Sequence, residues 1–202
     1  EGGEIRVTYD GENRVTSLTR EMGATDFATT FAYTDNLPGA GNDQTVVTDA
    51  NGHETTYRYD SGNRVTSVTN AKAQTENTTF DTNSNVTEVI DAAGEATTVA
   101  YDPTRNNPTS AQIPTGAQWT ATYDTGGPGI VPFRPRTDTD PQTRRRTHTW
   151  NANGDLRQSV NQLATEHTVS ATYHGLDGAS CAGAQEGQVC RTTNARGQTT
   201  DF

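Results

Sequence analysis

The chain has 202 residues, a formal net charge of -10 and a pI near 4.7. Ile, Leu, Val and Phe together supply only 27 residues, a share low enough to be typical of disorder. The acidic charge excludes nucleic acid as an expected partner, because phosphate binding depends on clustered Lys and Arg. No apolar stretch of about 18 residues and no basic-then-apolar leader occurs, so neither a membrane span nor a signal peptide is expected within these residues.

Threonine argues against disorder. It occurs 38 times, often in pairs such as Thr55-Thr56 and Thr97-Thr98, and β-branched residues favour strands. The 7 Tyr, 5 Phe and 2 Trp can each bury more area than a Val. The composition therefore predicts a thin, all-β structure held together by aromatic side chains.

An aromatic residue followed by a polar one recurs along the chain at steps of 21 to 27 residues. The series of aromatics is Tyr9, Tyr33, Tyr59, Phe80, Tyr101, Tyr123, Trp150 and Tyr173. A period this short indicates one β-hairpin per unit. We predict about eight antiparallel hairpin units over residues 1–202, with strands ending near these aromatics and almost no helix.

Residues 52–69 show the unit most clearly. Thr55, Tyr57 and Tyr59 share one face of a strand by the period of 2. Residues 60–63 then predict a turn in which Asp60 accepts backbone N–H groups and Gly62 supplies a positive φ. A new strand is expected from Arg64 onward.

A second turn recurs between units, at residues 49–52, 91–94 and 194–197, each followed by Thr-rich strand sequence. The predicted turn residues are Asp10, Asp60, Asp81, Asp102 and Asp124, with Gly52, Gly62, Gly94, Gly154 and Gly197. Because an isolated hairpin is marginal in water, stability is expected to come from neighbouring units.

The segments YDGENRVTSL (9–18) and YDSGNRVTSV (59–68) resemble the Rhs or YD repeats of bacterial polymorphic toxins, wall-associated proteins and teneurins. The resemblance covers essentially the whole chain. It implies a spiralling sheet that forms an open shell, a barrel segment or a solenoid, and in full-length members encloses a C-terminal toxin or effector. No self-cleavage residues of that family can be placed on these positions.

The chain departs from the repeat pattern in places. The units at 33–39 and 101–106 lack the Gly-Arg signature, so the conformation of their turns is left open, and residues 126–136 are an irregular Pro- and Gly-rich stretch. Both ends fall in the middle of a repeat, so the expected partner is the remainder of the chain's own array, or another copy in a fibre.

Cys181 and Cys190 bracket a Gly-rich insertion at residues 179–191. A disulfide there would contribute about 2.5 to 3 kcal/mol in the chain-entropy model and would suit an oxidising compartment. Two free thiols are an alternative. A metal pair is another, but it needs two further ligands, and only His167 and His174 lie close in sequence.

No catalytic motif occurs in the sequence. The four histidines, His53, His148, His167 and His174, have no short ligand spacing, and the motif patterns for zinc proteases, phosphate loops and serine hydrolases are missing. Calcium binding is one interpretation of the acidic residues near Asp138. The spacing of an EF-hand loop is missing, however, and turn capping explains these residues as well. We therefore expect no enzyme, no catalytic residues, no metal and no cofactor.

Two functions remain. The first is a structural segment of a large secreted or surface protein of bacteria, forming a shell wall around a toxin or effector, or a fibre. The second is a carbohydrate-binding adhesion module that holds cell-surface glycans. Aromatic rings packed between strands would favour the first, and ring faces lining an open groove would favour the second.

Overall fold

A computed structural model describes residues 4–22, 25–35, 43–123, 133–151, 153–162, 167–176, 181, 183 and 185–202. These residues contain seventeen β-strands and no helix. None of the described residues therefore belongs to a helix that could span a bilayer. The prediction of an all-β chain of antiparallel hairpins is confirmed. The chain divides into two compact units, Glu1–Ala96 and Thr97–Phe202.

The first unit contains eight strands, each paired antiparallel with the next along the chain. They are β1 (Ile5–Tyr9), β2 (Val15–Met22), β3 (Thr25–Thr34), β4 (Gln44–Thr48), β5 (Glu54–Tyr59), β6 (Val65–Thr69), β7 (Thr75–Phe80) and β8 (Val86–Ile90).

The second unit contains the other nine strands of the described residues, again paired antiparallel in chain order. They are β9 (Ala96–Tyr101), β10 (Pro108–Gln112), β11 (Gln118–Tyr123), β12 (Pro135–Thr139), β13 (Arg145–Trp150), β14 (Leu156–Asn161), β15 (His167–Tyr173), β16 (Val189–Thr193) and β17 (Thr199–Asp201). Strands thus extend by two or three residues into the stretches 126–136 and 179–191, whose residues 126–132, 179, 180, 182 and 184 lie outside the described part.

The two kinds of turn share one construction. An Asp or Asn side chain accepts the N–H groups of the second and fourth residues after it, as Asp60 does from Gly62 at 2.8 Å and Arg64 at 3.0 Å. The same pair of bonds recurs at Asp10, Asp49, Asn70, Asp81, Asp91, Asp140, Asn151 and Asn194. Such Asx turns stabilise the bend locally.

The positive φ in the aromatic-side turn belongs to a different residue from the one expected. It is Asn63, with φ 59, rather than Gly62 that occupies the left-handed region. Asn13, with φ 63, does the same in the first unit's first turn. Asn tolerates this region better than most residues because its short amide can bond locally. Gly52, Gly94 and Gly197 have positive φ in the second turn, and Gly154 has it in the turn that follows Trp150.

The strand register gives the first unit two unlike faces. One, here called the apolar face, carries Val7, Leu18, Phe27, Phe31, Tyr33, Val47, Tyr57, Val68 and Val89. The opposite face carries mainly Thr and charged residues, with hydroxyl pairs such as Thr69 Oγ1 to Thr75 Oγ1 at 2.9 Å. Cross-strand neighbours of matched type are the unit of sheet stabilisation.

The sheet encloses very little apolar volume. Among the described residues only Ala121 and Cys190 are buried hydrophobics. The repeat aromatics are half-buried, except Tyr9, which is 62% exposed. Stability therefore comes from strand pairing, turns and half-buried rings rather than from a closed core.

Candidate functional site

The structure places the predicted aromatics together at one end of successive hairpins. Each is the last residue of an odd-numbered strand, apart from Tyr33, which is followed by Thr34 in β3. Asp10, Asp60, Asp81 and Asp102 follow directly and begin the turns, whereas Asp124 lies outside the described residues. The predicted strand ends are therefore confirmed, and the aromatic and aspartate form a single structural element.

The polar atom of the aromatic ring caps the start of the preceding strand. The Tyr33 hydroxyl donates to the Val15 carbonyl at 2.8 Å, and the Tyr123 hydroxyl donates to the Pro108 carbonyl at 2.8 Å. Trp150 Nε1 donates to Pro135 O at 2.9 Å, and the Tyr173 hydroxyl to Leu156 O at 3.1 Å. The ring thus donates a hydrogen bond to a backbone carbonyl at the start of the neighbouring strand.

An arginine joins the turn to the next ring in the first unit. Arg64 pairs with Asp60 at 2.6 Å and lies over the Phe80 ring at 4.7 Å. It also donates to the Asp81 carbonyl at 3.1 Å, so one side chain links two successive hairpins. Arg14 does the same between Asp10 and the Tyr33 ring, where its guanidinium lies 4.4 Å from the ring centre. Cation–π contacts of this kind add to the packing.

These contacts lower the pKa of the turn aspartates. The Arg64 side chain and the backbone N–H groups of Arg64 and Gly62 hold the pKa of Asp60 below its usual value. In Asp10 the backbone N–H of Arg14 is the main cause of a lowered pKa, and in Asp81 it is the Asn85 amide. The turn carboxylates are therefore structural anions, hydrogen-bonded within their own loops.

A β-bulge lies opposite the strand end at seven of the eight repeat aromatics, and sequence reasoning missed it; β3 and β4 pair at Tyr33 without a bulge. Opposite the aromatic strand end, one residue is skipped in the pairing: Thr16, Thr66, Thr87, Thr109, Arg136, Arg157 and Cys190. Thr66 Oγ1 donates to Arg58 O at 3.3 Å, which bonds the skipped residue back to its partner strand. The signal was present in the sequence as the recurring Val-Thr at 15–16, 65–66 and 86–87.

A polar cluster interrupts the repeat pattern in the second unit. Asp138 and His148 are joined by His148 Nε2 and Asp138 Oδ1 at 2.5 Å, and their side chains are only 9% and 12% exposed. Arg146 donates to the other carboxylate oxygen at 2.6 Å. Asp138 lies opposite Ala121 as Val68 lies opposite Tyr57, and His148 stands two residues before its ring as Tyr57 does. Two polar residues thus occupy positions that are apolar or aromatic in the 52–69 unit.

The two cysteines form a disulfide, with their Cα atoms 5.6 Å apart. His174 is the third member of this group, because its Nδ1 lies 3.7 Å from Cys181 Sγ and accepts the Cys181 N–H at 3.1 Å. The potential ligand atoms of the three residues lie within 4.8 Å of one another. His167 is not in this cluster, and His53 lies in the first unit beside Asp49.

Comparison with known proteins finds similarity to one family over part of the chain. The fold and the repeated hairpin ends define the class of tandem β-hairpin repeat proteins. Residues 39–75 match the family model described as RHS Repeat, which confirms the resemblance to Rhs/YD repeats. A comparison with curated protein sequences gives no match.

One solved structure in this comparison shares the fold. A crystal structure of TcdB2-TccC3-Cdc42 matches 95% of this chain with a TM-score of 0.65 at 14% identity, and the match spans 10% of that chain. The Tc holotoxin pore of Photorhabdus luminescens matches 97% of this chain and 13% of its own, with a TM-score of 0.38 at 14% identity. The chain therefore spans about a tenth of the length of these neighbours.

Proposed function

We propose that the chain is a structural repeat segment that forms part of the wall of a β-shell around a toxin or effector polypeptide. The observation that carries this proposal is the two-faced sheet of the first unit. Its backbone is paired strand to strand, yet Leu18, Phe27 and Ile5 on the apolar face are 43%, 49% and 63% exposed. Exposed apolar side chains on one side of a paired sheet suit a wall that separates water from an enclosed polypeptide.

The comparisons support this reading. Residues 39–75 match the RHS Repeat model, and the neighbour with the shared fold contains TcdB2 and TccC3. TccC3 is also named in the structure of a Tc holotoxin pore. We extend from these relatives to this chain the role of a shell segment. Secretion or display at the bacterial surface belongs to the same proposal, and the Cys181–Cys190 disulfide supports it because disulfides persist in oxidising compartments.

A wall segment requires no chemistry of its own. The turn aspartates are hydrogen-bonded within their loops, and the hydroxyls of Tyr33, Tyr123 and Tyr173 bond backbone carbonyls. Rings whose polar ends are committed in this way suit a structural role better than glycan binding. The proposal therefore includes the expectation that the segment is not an enzyme.

The test is protease protection of the polypeptide that the shell encloses. The full-length protein that contains this segment is purified, imaged by negative-stain electron microscopy and digested with a non-specific protease. We expect hollow particles, and we expect the enclosed polypeptide to be cut at least about tenfold more slowly than the same polypeptide produced alone, since access requires the wall to open.

The matched control separates the wall from general stability. Trp150→Ala removes the ring that caps Pro135 O and should accelerate cleavage of the enclosed polypeptide, whereas Trp150→Phe keeps most of the ring packing and should accelerate it less. Equal cleavage of the free and enclosed polypeptide, together with solid or extended particles, would refute the shell.

A further inference from the structure

The disulfide cluster of the second unit has a geometry that the repeat pattern does not require. Cys190 occupies the bulge position that holds Thr16, Thr66 and Thr87 in the first unit. Bulges re-aim a side chain out of the strand alternation. Here the bulge directs Cys190, which is 8% exposed, toward Cys181 and His174.

The backbone holds His174 next to the same bulge. His174 donates its N–H to Gln188 O at 2.8 Å and accepts the Gly187 N–H at 2.9 Å. The ring accepts the Cys181 N–H through Nδ1, so the lone pair of that nitrogen faces the cysteines. Backbone contacts thus position the imidazole to act as a metal ligand, without a bond to either sulfur atom.

The distance between Cys181 Sγ and His174 Nδ1 suits a tetrahedral metal centre. Zn–S bonds of about 2.3 Å and Zn–N bonds of about 2.05 Å place a sulfur and a nitrogen about 3.6 Å apart, and two sulfurs about 3.8 Å apart. Cys181 Sγ and His174 Nδ1 are already 3.7 Å apart. Breaking the disulfide frees the Cys190 side chain to move away from Cys181 Sγ to about 3.8 Å, while its sulfur already lies within 4.8 Å of His174 Nδ1.

We propose that reduction of the Cys181–Cys190 disulfide converts this cluster into a zinc site with two thiolates and His174 Nδ1 as ligands. The fourth position is left to solvent, because three potential ligands come together here among the described residues. This inference is independent of the shell function. In an oxidising compartment the disulfide links Cys181 to Cys190, and in a reducing compartment the metal ion links them.

The chemistry balances with a dithiol or phosphine as reductant. Two electrons break the sulfur–sulfur bond, and each sulfur takes one proton while the reductant is oxidised. Zinc then forms two Zn–S bonds and one Zn–N bond, and the two thiol protons are released to solvent. The hydrogen bond from the Cys181 N–H to Nδ1 is given up, since that lone pair binds the metal.

The experiment is a cobalt titration of the 202-residue chain, reduced with a phosphine under anaerobic conditions. Cobalt replaces zinc in such sites and reports thiolate ligands by a charge-transfer band and tetrahedral geometry by intense visible bands. We expect saturation at about one cobalt per chain, loss of the spectrum when zinc is added, and no such spectrum from the oxidised chain.

Variants test the ligand assignment. His174→Ala and His174→Gln should each weaken cobalt binding by more than about tenfold, since even loss of a partner outside the ligand set costs about 10- to 100-fold. His167→Ala, at the start of β15 and outside the cluster, should bind like the unaltered chain. Circular dichroism of each reduced variant checks that the strands persist, and His174→Gln serves if His174→Ala does not fold.

Three results would overturn the proposal. The first is the absence of a thiolate–cobalt band in the reduced chain, and the second is equal binding by the oxidised chain. The third is a spectrum unchanged in both His174 variants, because the metal would then be held by other residues.

Discussion

At the scale of single residues, the turn aspartate combines backbone hydrogen bonds and an ion pair in one short side chain. One carboxylate oxygen of Asp60 accepts two backbone N–H groups, and the other pairs with Arg64 at 2.6 Å. Asn70, Asn151 and Asn194 show that an amide can make the two backbone bonds equally well. The carboxylate is therefore needed for the arginine rather than for the turn itself.

Substitution at Asp60 separates these two contributions. We expect Asp60→Ala to lower the midpoint of thermal unfolding clearly, because both turn bonds are lost. Asp60→Asn should lower it by less, because only the ion pair with Arg64 is lost. The check is thermal unfolding followed by circular dichroism at neutral pH. Equal losses in the two variants would mean that the turn bonds contribute nothing measurable.

Acid should weaken the fold through the same residues. The pKa values of Asp10, Asp49, Asp60, Asp81, Asp102 and Asp140 are all lowered in the folded chain. Stability from a carboxyl with a lowered pKa is fully present above its unfolded value of about 3.9 and is lost as pH falls through the folded value. We expect the unfolding midpoint to fall steadily below about pH 4.

The control for the acid effect is again Asp60→Asn. An amide does not titrate, so the midpoint of this variant should fall less between neutral and acidic pH than that of the unaltered chain. A parallel loss in both proteins would assign the acid sensitivity to groups other than Asp60.

At the scale of the hairpin, the hydroxyl of the ring ties two neighbouring strands. Tyr123→Phe removes the bond to Pro108 O without removing the ring, so we expect a loss of about 1 kcal/mol in the free energy of unfolding. The matched control is Tyr9→Phe, because the Tyr9 ring is 62% exposed and should change stability little. Urea titration measures both, and similar losses in the two variants would contradict the capping role.

The half-buried position of the rings changes what their loss should cost. Complete burial of the Tyr59 ring would make its loss in Tyr59→Ala cost about 3 to 5 kcal/mol in the free energy of unfolding. Tyr59 is only partly buried, so the expected cost is below that range. The ring packs on one face of a sheet rather than inside a core.

The Asp138–His148 pair shows how a hairpin accepts polar residues in apolar positions. Asp138→Val should lower the free energy of unfolding by about 3 kcal/mol, because His148 and Arg146 lose the carboxylate with which they pair. The double variant Asp138→Val with His148→Tyr has the residue types of the corresponding positions in the first unit, which are Val68 and Tyr57. We expect it to recover most of the loss, as replacement of a whole buried pair often does. A double variant as unstable as the single one would show that the pair itself holds these strands.

At the scale of the whole chain, pairing is confined to neighbours in sequence. Within each unit every described pairing joins strands adjacent along the chain. Stability in such arrays is a sum of local terms. Both tryptophans, Trp119 and Trp150, lie in the second unit, so fluorescence reports that unit whereas circular dichroism reports both.

We therefore expect unfolding that is not two-state. In a urea titration, the transition seen by tryptophan fluorescence should not coincide with the one seen by far-UV circular dichroism. The oxidised chain is used throughout, so that the disulfide is constant. Superimposable curves with one slope would show that the two units unfold together.

The sequence alone determined the class of fold, because hairpin formation is local. The 21- to 27-residue spacing of the aromatics and the Asp or Asn that follows them fix where strands end, and these signals involve residues close in sequence. The aromatic series, the turn aspartates and the glycines of the second turn could all be identified in this way. The family match over residues 39–75 agrees with that reading.

Only the tertiary structure decided which residues meet across strands. The positive φ at Asn63 instead of Gly62 and the bulges opposite the ring ends depend on strand register, which a repeat pattern does not specify. The meeting of His174 with Cys181 and Cys190 depends on the same register. Sequence spacing left a disulfide, free thiols and a metal pair open because it carries no information on the distance between side chains of paired strands.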